Sequence, residues 1–517
     1  MTIIEGSRSE RRGGRRRASA DSGAAHRAST YRRLVNPFEP LRVFSDDQVE
    51  AMHRTALRIL EELGMRVLLP EGRRILAAAG ARVDEESRMV HLDRGLVEEM
   101  LAKAPAEIEL VARAPERCLT IGGRHVAVIP VGGPPHVTDT DRGKRAGTLA
   151  DYVEFTKLAQ SYDVIHLLGA SVEPQEIPTQ FRHLDVTLTQ LTLGDKMPWV
   201  YARGQGQVRD CFQMVAMAHG IAVEDLADAV RAYTVINTNS PLQLDIPMTQ
   251  GIIDFAAAGQ LLVITPFTLA GAMAPVTLPG ALTQAHAEAL AGITLAQIVR
   301  PGAPVVYGSF TSNVDMRSGA PAFGTPEYVK ASFGAGQLAR RLGIPWRCSN
   351  ANASNTPDAQ AAYESEMSLW GALMGGCNFL IHGAGWLEGG LTASLEKFIL
   401  DIEMLQMFAE LFQPVAFSED EMAFEDIREV GPGGHFFAAP HTMSRYQSAF
   451  YAPLVSDWRN FGQWSEDGSR TATERANLIW KKTLADFTPP PLDPGRAEAL
   501  ADFVARRRAE GGAPPVS

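Results

Sequence analysis

Eight short apolar runs, most followed by a stretch with helical spacing, constrain this chain more than any other feature. They occupy residues 125–131, 164–170, 199–203, 233–237, 262–269, 305–310, 346–349 and 377–382. Each is short enough for a buried strand. Between them, residues 149–160, 177–193, 207–218, 251–259, 282–299, 326–342 and 358–374 carry apolar side chains at the helical period. Parallel neighbours need long right-handed crossovers, so eight such units predict an α/β fold, a (β/α)8 TIM-type barrel, over residues 124–413. A doubly wound open sheet is the rival. Against it, no run leads into a complete G-x-G-x-x-G, and Gly204-Gln205-Gly206 lacks the third glycine.

The flanks read differently. Residues 1–39 form an Arg-rich tail expected to be disordered. Its first 33 residues hold nine arginines against Glu5, Glu10 and Asp21, although the whole chain of 517 residues carries a net charge of -11. The tail is either a solvated segment or a handle for an acidic partner or RNA; for the acidic body, nucleic acid is not an expected partner. Residues 40–123 read as a small N-terminal α+β cap. Within it Ser45-Asp46-Asp47-Gln48 has the form of a helix N-cap, and Gly64 that of a stop. A helix from Leu395 to Phe412 closes the barrel, and residues 414–517 follow as a C-terminal helical and irregular wrap over it, or as a contact in a homo-oligomer.

Composition removes several classes. No stretch approaches about 20 uninterrupted apolar residues, so no membrane span is expected. Cys118, Cys211, Cys348 and Cys377 are scattered, with no C-x-x-C and no zinc spacing. They imply a reducing cytoplasm and no metal site. Cys348 and Cys377, on expected strands, are either small buried hydrophobes or reactive thiols.

In a barrel the residues just past each strand converge on one mouth. Arg203 ends the third run, Asn237 the fourth, Asp315 follows the sixth, Asn350 the seventh, and His382, Trp386 and Glu388 the eighth. Arg203 either balances Glu173 or Asp315 or grips an anionic substrate group, which a guanidinium fork suits. Asn237 either caps a helix or faces a ligand, and His382 is either a hydrogen-bonded core histidine or a mouth residue. Trp386 lies in the Gly-rich loop Gly383-Ala384-Gly385-Trp386-Leu387-Glu388-Gly389-Gly390, and an indole face is the best side-chain partner for a quaternary ammonium. These seven are the expected substrate-binding residues; no residue is assigned a catalytic role.

Several stretches resemble a known family. They are Thr265-Pro266-Phe267-Thr268-Leu269-Ala270-Gly271-Ala272-Met273-Ala274-Pro275-Val276-Thr277, Gly319-Ala320-Pro321-Ala322-Phe323-Gly324-Thr325-Pro326-Glu327, Asp358-Ala359-Gln360-Ala361-Ala362-Tyr363-Glu364-Ser365 and Gly385-Trp386-Leu387-Glu388-Gly389-Gly390-Leu391-Thr392-Ala393-Ser394. Together they resemble the corrinoid-dependent trimethylamine methyltransferase family, in its members without pyrrolysine, the glycine betaine methyltransferase kind. The resemblance implies a (β/α)8 barrel that moves a methyl group from a quaternary amine such as glycine betaine to the Co(I) corrinoid (cobalamin) of a separate carrier protein, with no tightly bound cofactor of its own. Every position here is a standard residue, whereas the methylamine enzymes carry pyrrolysine. A quaternary ammonium also leaves as a neutral amine, so orientation and desolvation carry most of the catalysis. Two alternatives stay open: another N-methyl compound or a folate-type acceptor, and a non-catalytic betaine-binding barrel.

Overall fold

The structure, a computed structural model, describes residues 31–516. At its centre run β1 (His125–Val128), β2 (Tyr233–Thr238), β3 (Leu261–Ala270), β4 (Val305–Gly308), β5 (Trp346–Ser349) and β6 (Phe379–Ile381). They pair in parallel in the order β2-β3-β4-β5-β6-β1. Strands covered on both faces read as unbroken apolar runs, and Val305, Val306 and Tyr307 are all buried. Beyond β1 the sheet continues antiparallel through Leu119–Gly122 and Glu107–Leu110. The protein is therefore an α/β fold with mixed sheets.

Two of the eight expected runs are not regular strands. Residues 164–170 and 199–203 lie between β1 and β2 and make isolated backbone contacts. The His166 N–H donates to Val128 O at 2.8 Å, Leu168 N–H to Met197 O at 3.0 Å, and Val200 N–H to Tyr233 O at 2.9 Å. Local chemistry explains the broken ladder. Pro198 has no N–H to give, and the Val128 N–H donates to the imidazole Nδ1 of His166 at 2.9 Å instead of to a carbonyl.

The crossover helices are α1 (Leu149–Ser161), α2 (Thr179–Leu193), α3 (Gln205–His219), α4 (Ile246–Ala257), α5 (Leu278–Val299), α6 (Pro326–Leu342), α7 (Ala359–Met374) and α8 (Leu395–Leu411). Most start on a side-chain cap: Thr148 with Asp151 in a capping box, Asp245, Thr325, Asp358 and Ser394. Helix α5 is apolar around most of its circumference. Its Leu282, Leu290, Ile293 and Leu295 are completely buried, each contributing roughly 1.5–3 kcal/mol of transfer free energy.

The termini depart from expectation in one respect. The expected disordered tail reaches residue 39, and its first 30 residues lie outside the described residues. Residues 31–39, however, are held: Leu34–Val35 pairs antiparallel with β1, and the Tyr31 hydroxyl donates to Glu410 at 2.6 Å. The capping box of Ser45 and Gln48 starts the helix Asp46–Arg58, which widens into a π turn over Ile59–Leu63 before Gly64 ends it at φ 79°. At the other end, helix Ala472–Ala485 packs on α8, where the Trp480 Nε1–H donates to Glu396 at 3.1 Å. Helix Pro494–Ala509 lies against α2 and α3 through Arg507 and Asp210, 2.8 Å apart.

Candidate functional site

A cavity of about 320 Å³ opens at the C-terminal ends of the parallel strands, the edge where α/β proteins place their ligands. It is lined by Ile129 and Pro130 just past β1, by Ile381 at the end of β6, and by aromatic walls: Trp199, Tyr201, Tyr233, Phe267, Phe310 and Trp386. The rings support one another. Phe310 stands edge-on to Trp386 at 6.1 Å and 80°, tilted to Phe267 at 5.2 Å, and stacked on Phe323 at 5.2 Å and 8°. Across the cavity Trp199 and Tyr201 meet at 4.5 Å.

The loop after β6 supplies Trp386 through a sharp reversal. His382 adopts φ 58°, its ring lies 3.9 Å from the Trp386 ring, and its Nδ1 is 3.1 Å from Ser349 Oγ. Burial pushes the His382 imidazole well below its usual range, with the nearby Arg347 charge acting in the same direction, so the ring is neutral. The Trp386 Nε1–H donates to Asn352 O at 3.1 Å while Asn352 Nδ2–H donates back to Trp386 O at 2.7 Å, which fixes the indole. Gly390 explains part of the loop's glycine content: at φ 98°, a Cβ there would sit 2.5 Å from the indole.

Arg347 is the unexpected member of the wall. It is 2% exposed, its guanidinium lies 4.8 Å above the Phe310 ring, and its Nε and Nη1 have no hydrogen-bond partner. Burial pulls its pKa down from the ordinary arginine range, yet arginine remains charged in proteins. An unpaired buried cation is costly. No lining residue is acidic.

Of the seven residues expected from the sequence, four line this cavity: Arg203, Asn237, His382 and Trp386. Arg203 is about half exposed at the rim, 3.7 Å from Glu173, whose carboxylate also receives Arg182 at 2.5 Å and the Tyr201 hydroxyl at 3.3 Å. The other three lie off it. Asp315 is solvent-exposed and accepts from the Arg317 and Ser318 backbone and the Ser318 hydroxyl in its own turn. Glu388 faces Lys144 and the Thr392 hydroxyl, each at 2.5 Å, beside the lining glycines. Asn350 is buried behind the Trp386 loop, donating to Gly383 O and Asp401 at 3.0 and 3.1 Å.

That last contact belongs to a buried charged network. Lys397 pairs with Asp401 and with Ser365 Oγ, and the Gly385 N–H donates to Asp401 at 2.8 Å. Burial pushes the Asp401 carboxyl up and the Lys397 ammonium down. The network therefore anchors the residues just before Trp386 to α8.

Sequence reasoning passed over Arg347 because it followed residues beyond strand ends. A usable signal exists: Arg347 is a lone charge inside the apolar run Trp346-Arg347-Cys348-Ser349. The period of two sets it on the same strand face as Ser349, and charged residues almost never occupy such positions unpaired.

Aromatic walls, a small volume and one unneutralised guanidinium define an α/β protein with a site for a compact ligand carrying an anionic end and a cationic or apolar one. Comparison with known proteins gives the family. Residues 11–512 match the trimethylamine methyltransferase (MTTB) family, and the chain belongs to it. Glycine betaine methyltransferase of Desulfitobacterium hafniense (strain Y51) is 37% identical over 472 residues, covering 91% of this chain and 98% of that protein. Trimethylamine methyltransferase MttB of D. hafniense (strain DSM 10664 / DCB-2) is 28% identical over 475 residues, covering 91% and 94%. The solved monomethylamine methyltransferase MtmB of Methanosarcina barkeri aligns over 88% of this chain and 92% of its own at 10% identity, with a TM-score of 0.44. Among the described residues no three His, Cys, Asp or Glu side chains could hold a metal ion.

Proposed function

We propose that this chain is a methyltransferase that takes a methyl group from a carboxylate-bearing quaternary ammonium, a betaine, and passes it to the corrinoid of a separate carrier protein. The observation that carries this reading is Arg347 in a cavity with no acid. A bare cation such as a simple tetraalkylammonium meets the Arg347 charge, with Arg203 at the rim, and no acidic lining residue to offset it. A betaine brings its own carboxylate, which neutralises the guanidinium through two N–H donors, while its methylated nitrogen lies against Phe310 and Trp386. Full neutralisation of a charge the protein leaves unpaired is a strong selector for a zwitterion.

The reaction balances without an acid or base on the protein. The N–CH₃ bond breaks with its electron pair staying on nitrogen, so the quaternary ammonium leaves as a neutral tertiary amine, and the reduced corrinoid supplies the nucleophile. The chain's residues orient and desolvate: Arg347 fixes the carboxylate, the aromatic cage fixes the ammonium, and the open side of the cavity admits the acceptor. At about 320 Å³ the cavity fits the small donor alone, which supports a corrinoid carried by the partner.

The same reading includes a closed (β/α)8 barrel. The backbone bonds of residues 166–168 and 197–200, which link β1 to β2 across the gap in the regular sheet, support closure. Residues 40–123 are then the N-terminal cap and 414–517 the C-terminal wrap. Cys118, Cys211, Cys348 and Cys377 are all free thiols, which supports a cytoplasmic setting; no helix among the described residues is long and apolar enough to cross a membrane.

The test is turnover by the purified chain with a reduced corrinoid carrier and either glycine betaine, choline or trimethylamine, with the demethylated amine measured by mass spectrometry. Dimethylglycine from betaine, with little product from the two donors that lack a carboxylate, is expected. Product with a folate acceptor and none with the corrinoid carrier would assign a different acceptor. Calorimetric binding of betaine without product under either condition would make this a binding protein.

A further inference from the structure

The rings that wall the cavity commit their polar atoms elsewhere. The Tyr233 hydroxyl donates to Leu168 O at 2.6 Å, the Tyr201 hydroxyl to Glu173 at 3.3 Å, and the Trp386 Nε1–H to Asn352 O at 3.1 Å. None of these three acceptors belongs to a lining residue, and Phe267 and Phe310 have no polar atom on the ring. What these side chains offer a ligand is ring surface, whose faces carry the negative end of the quadrupole.

Such a wall reads positive charge and shape. It does not read which element carries the charge, because the attraction of a cation to a ring face is electrostatic. A trialkylsulfonium and a tetraalkylammonium are alike in what matters here: each has a fixed positive charge, no hydrogen on the charged atom, and methyl groups for the rings to touch. Neither needs a proton in order to leave, since each departs neutral at the atom that loses its methyl.

We propose that the same cavity also accepts a sulfonium carboxylate, a compact zwitterion with a dimethylsulfonium group near its carboxylate, and that the chain removes a methyl group from its sulfur. The proposal rests on the betaine reading, with Arg347 on the carboxylate and Phe310 and Trp386 on the onium. The S–CH₃ bond breaks with its electron pair staying on sulfur. The pair for the new bond comes from the reduced corrinoid of the carrier, and a methylthio carboxylate is left. No proton moves, and no further oxidant or reductant enters.

Both binding and chemistry favour this donor. Sulfur in place of N–CH₃ makes the ligand smaller, so a cavity of about 320 Å³ that holds the betaine holds its sulfur counterpart. One methyl fewer against the rings corresponds to a roughly fourfold weaker Kd, about 0.8 kcal/mol. A thioether is a much weaker base than a tertiary amine, so its bond to methyl yields more readily to a nucleophile. Trimethylsulfonium has the same charged centre without a carboxylate, and leaves Arg347 unpaired.

Two measurements test this. Calorimetry of the chain alone with glycine betaine, dimethylsulfonioacetate and trimethylsulfonium reads binding without any carrier. The sulfonium carboxylate is expected within about tenfold of the betaine Kd, with no saturable heat from trimethylsulfonium; Arg347→Met and Trp386→Ala should each weaken both zwitterions by the same factor. The chain with a reduced corrinoid carrier is then given dimethylsulfonioacetate, and methylthioacetate is measured by mass spectrometry. A blank without the chain is subtracted, because sulfonium compounds methylate strong nucleophiles unaided. At saturating donor, the rate is expected to equal or exceed that from glycine betaine. Betaine bound and demethylated, with the sulfonium carboxylate either unbound or not consumed above the blank, would overturn this inference and leave the betaine reading standing. Trimethylsulfonium binding as tightly as dimethylsulfonioacetate would overturn the carboxylate's part in it. Failure of both zwitterions to bind would bring down the betaine reading together with this one.

Discussion

Arg347→Met separates a ligand-binding role from a structural one because the two roles predict opposite effects on stability. In the free protein Arg347 is buried with its Nε and Nη1 unpaired. Its favourable contact is the Phe310 face at 4.8 Å, worth up to about 2 kcal/mol when desolvated. The penalty for burying an unpaired charge is several kcal/mol. Replacing the guanidinium with a flexible apolar side chain should therefore leave stability unchanged or raise it, by about 1–3 kcal/mol in urea unfolding without ligand. Activity should move the other way. Each charge-assisted hydrogen bond to the substrate carboxylate contributes roughly 1.5–3 kcal/mol; at about 1.5–2 kcal/mol from each, the lower part of that range, losing a two-point contact costs about 3–4 kcal/mol of transition-state binding. At about 1.4 kcal/mol per tenfold, kcat/KM for glycine betaine should fall roughly 150- to 700-fold. Arg347→Lys should recover part of this, since a point charge cannot reproduce a fork. A lower urea midpoint for Arg347→Met, with kcat/KM within threefold of the unmodified enzyme, would show that Arg347 is structural and does not bind the carboxylate.

Three further outcomes are expected. Trp386→Ala removes a ring that favours the charged donor over the neutral amine, so it should raise KM about tenfold, with a smaller change in kcat; equal loss in both would contradict a cage role. Lys397→Met strands the Asp401 carboxylate that receives the Gly385 N–H, and should cost about 3–5 kcal/mol in urea unfolding; Lys397→Met combined with Asp401→Leu should recover most of it. His166 is held near a pKa of about 3 by burial, with the Lys196 charge adding to it, and its Nδ1 already accepts from Val128 N–H. The folded state thus binds fewer protons than the unfolded one between about pH 6 and pH 3, so this residue's contribution to stability is full above that window and falls as the pH drops through it. His166→Gln should flatten the slope of stability against pH there, by up to about 4 kcal/mol across the window; parallel slopes for the two proteins would show that another group is responsible.

The sequence by itself determined the alternation of strand and helix, because that depends on local signals. Buried parallel strands are continuous apolar runs, and helices start at caps such as Thr148, Thr325 and Asp358, both readable within a dozen residues. It also pointed to the Trp386 loop, since glycines around a lone indole are a local pattern. Only the tertiary structure decided the rest. Whether residues 164–170 pair as a ladder depended on where the His166 imidazole lands, a contact 38 residues away in sequence. Whether Asp315, Asn350 and Glu388 reach the cavity depended on which partner each found first: a turn N–H, the Gly383 carbonyl, or Lys144. The charge of Arg347 is visible in the sequence, but its lack of a partner is not. An unsatisfied group is a property of everything packed around it, and no local pattern encodes an absence.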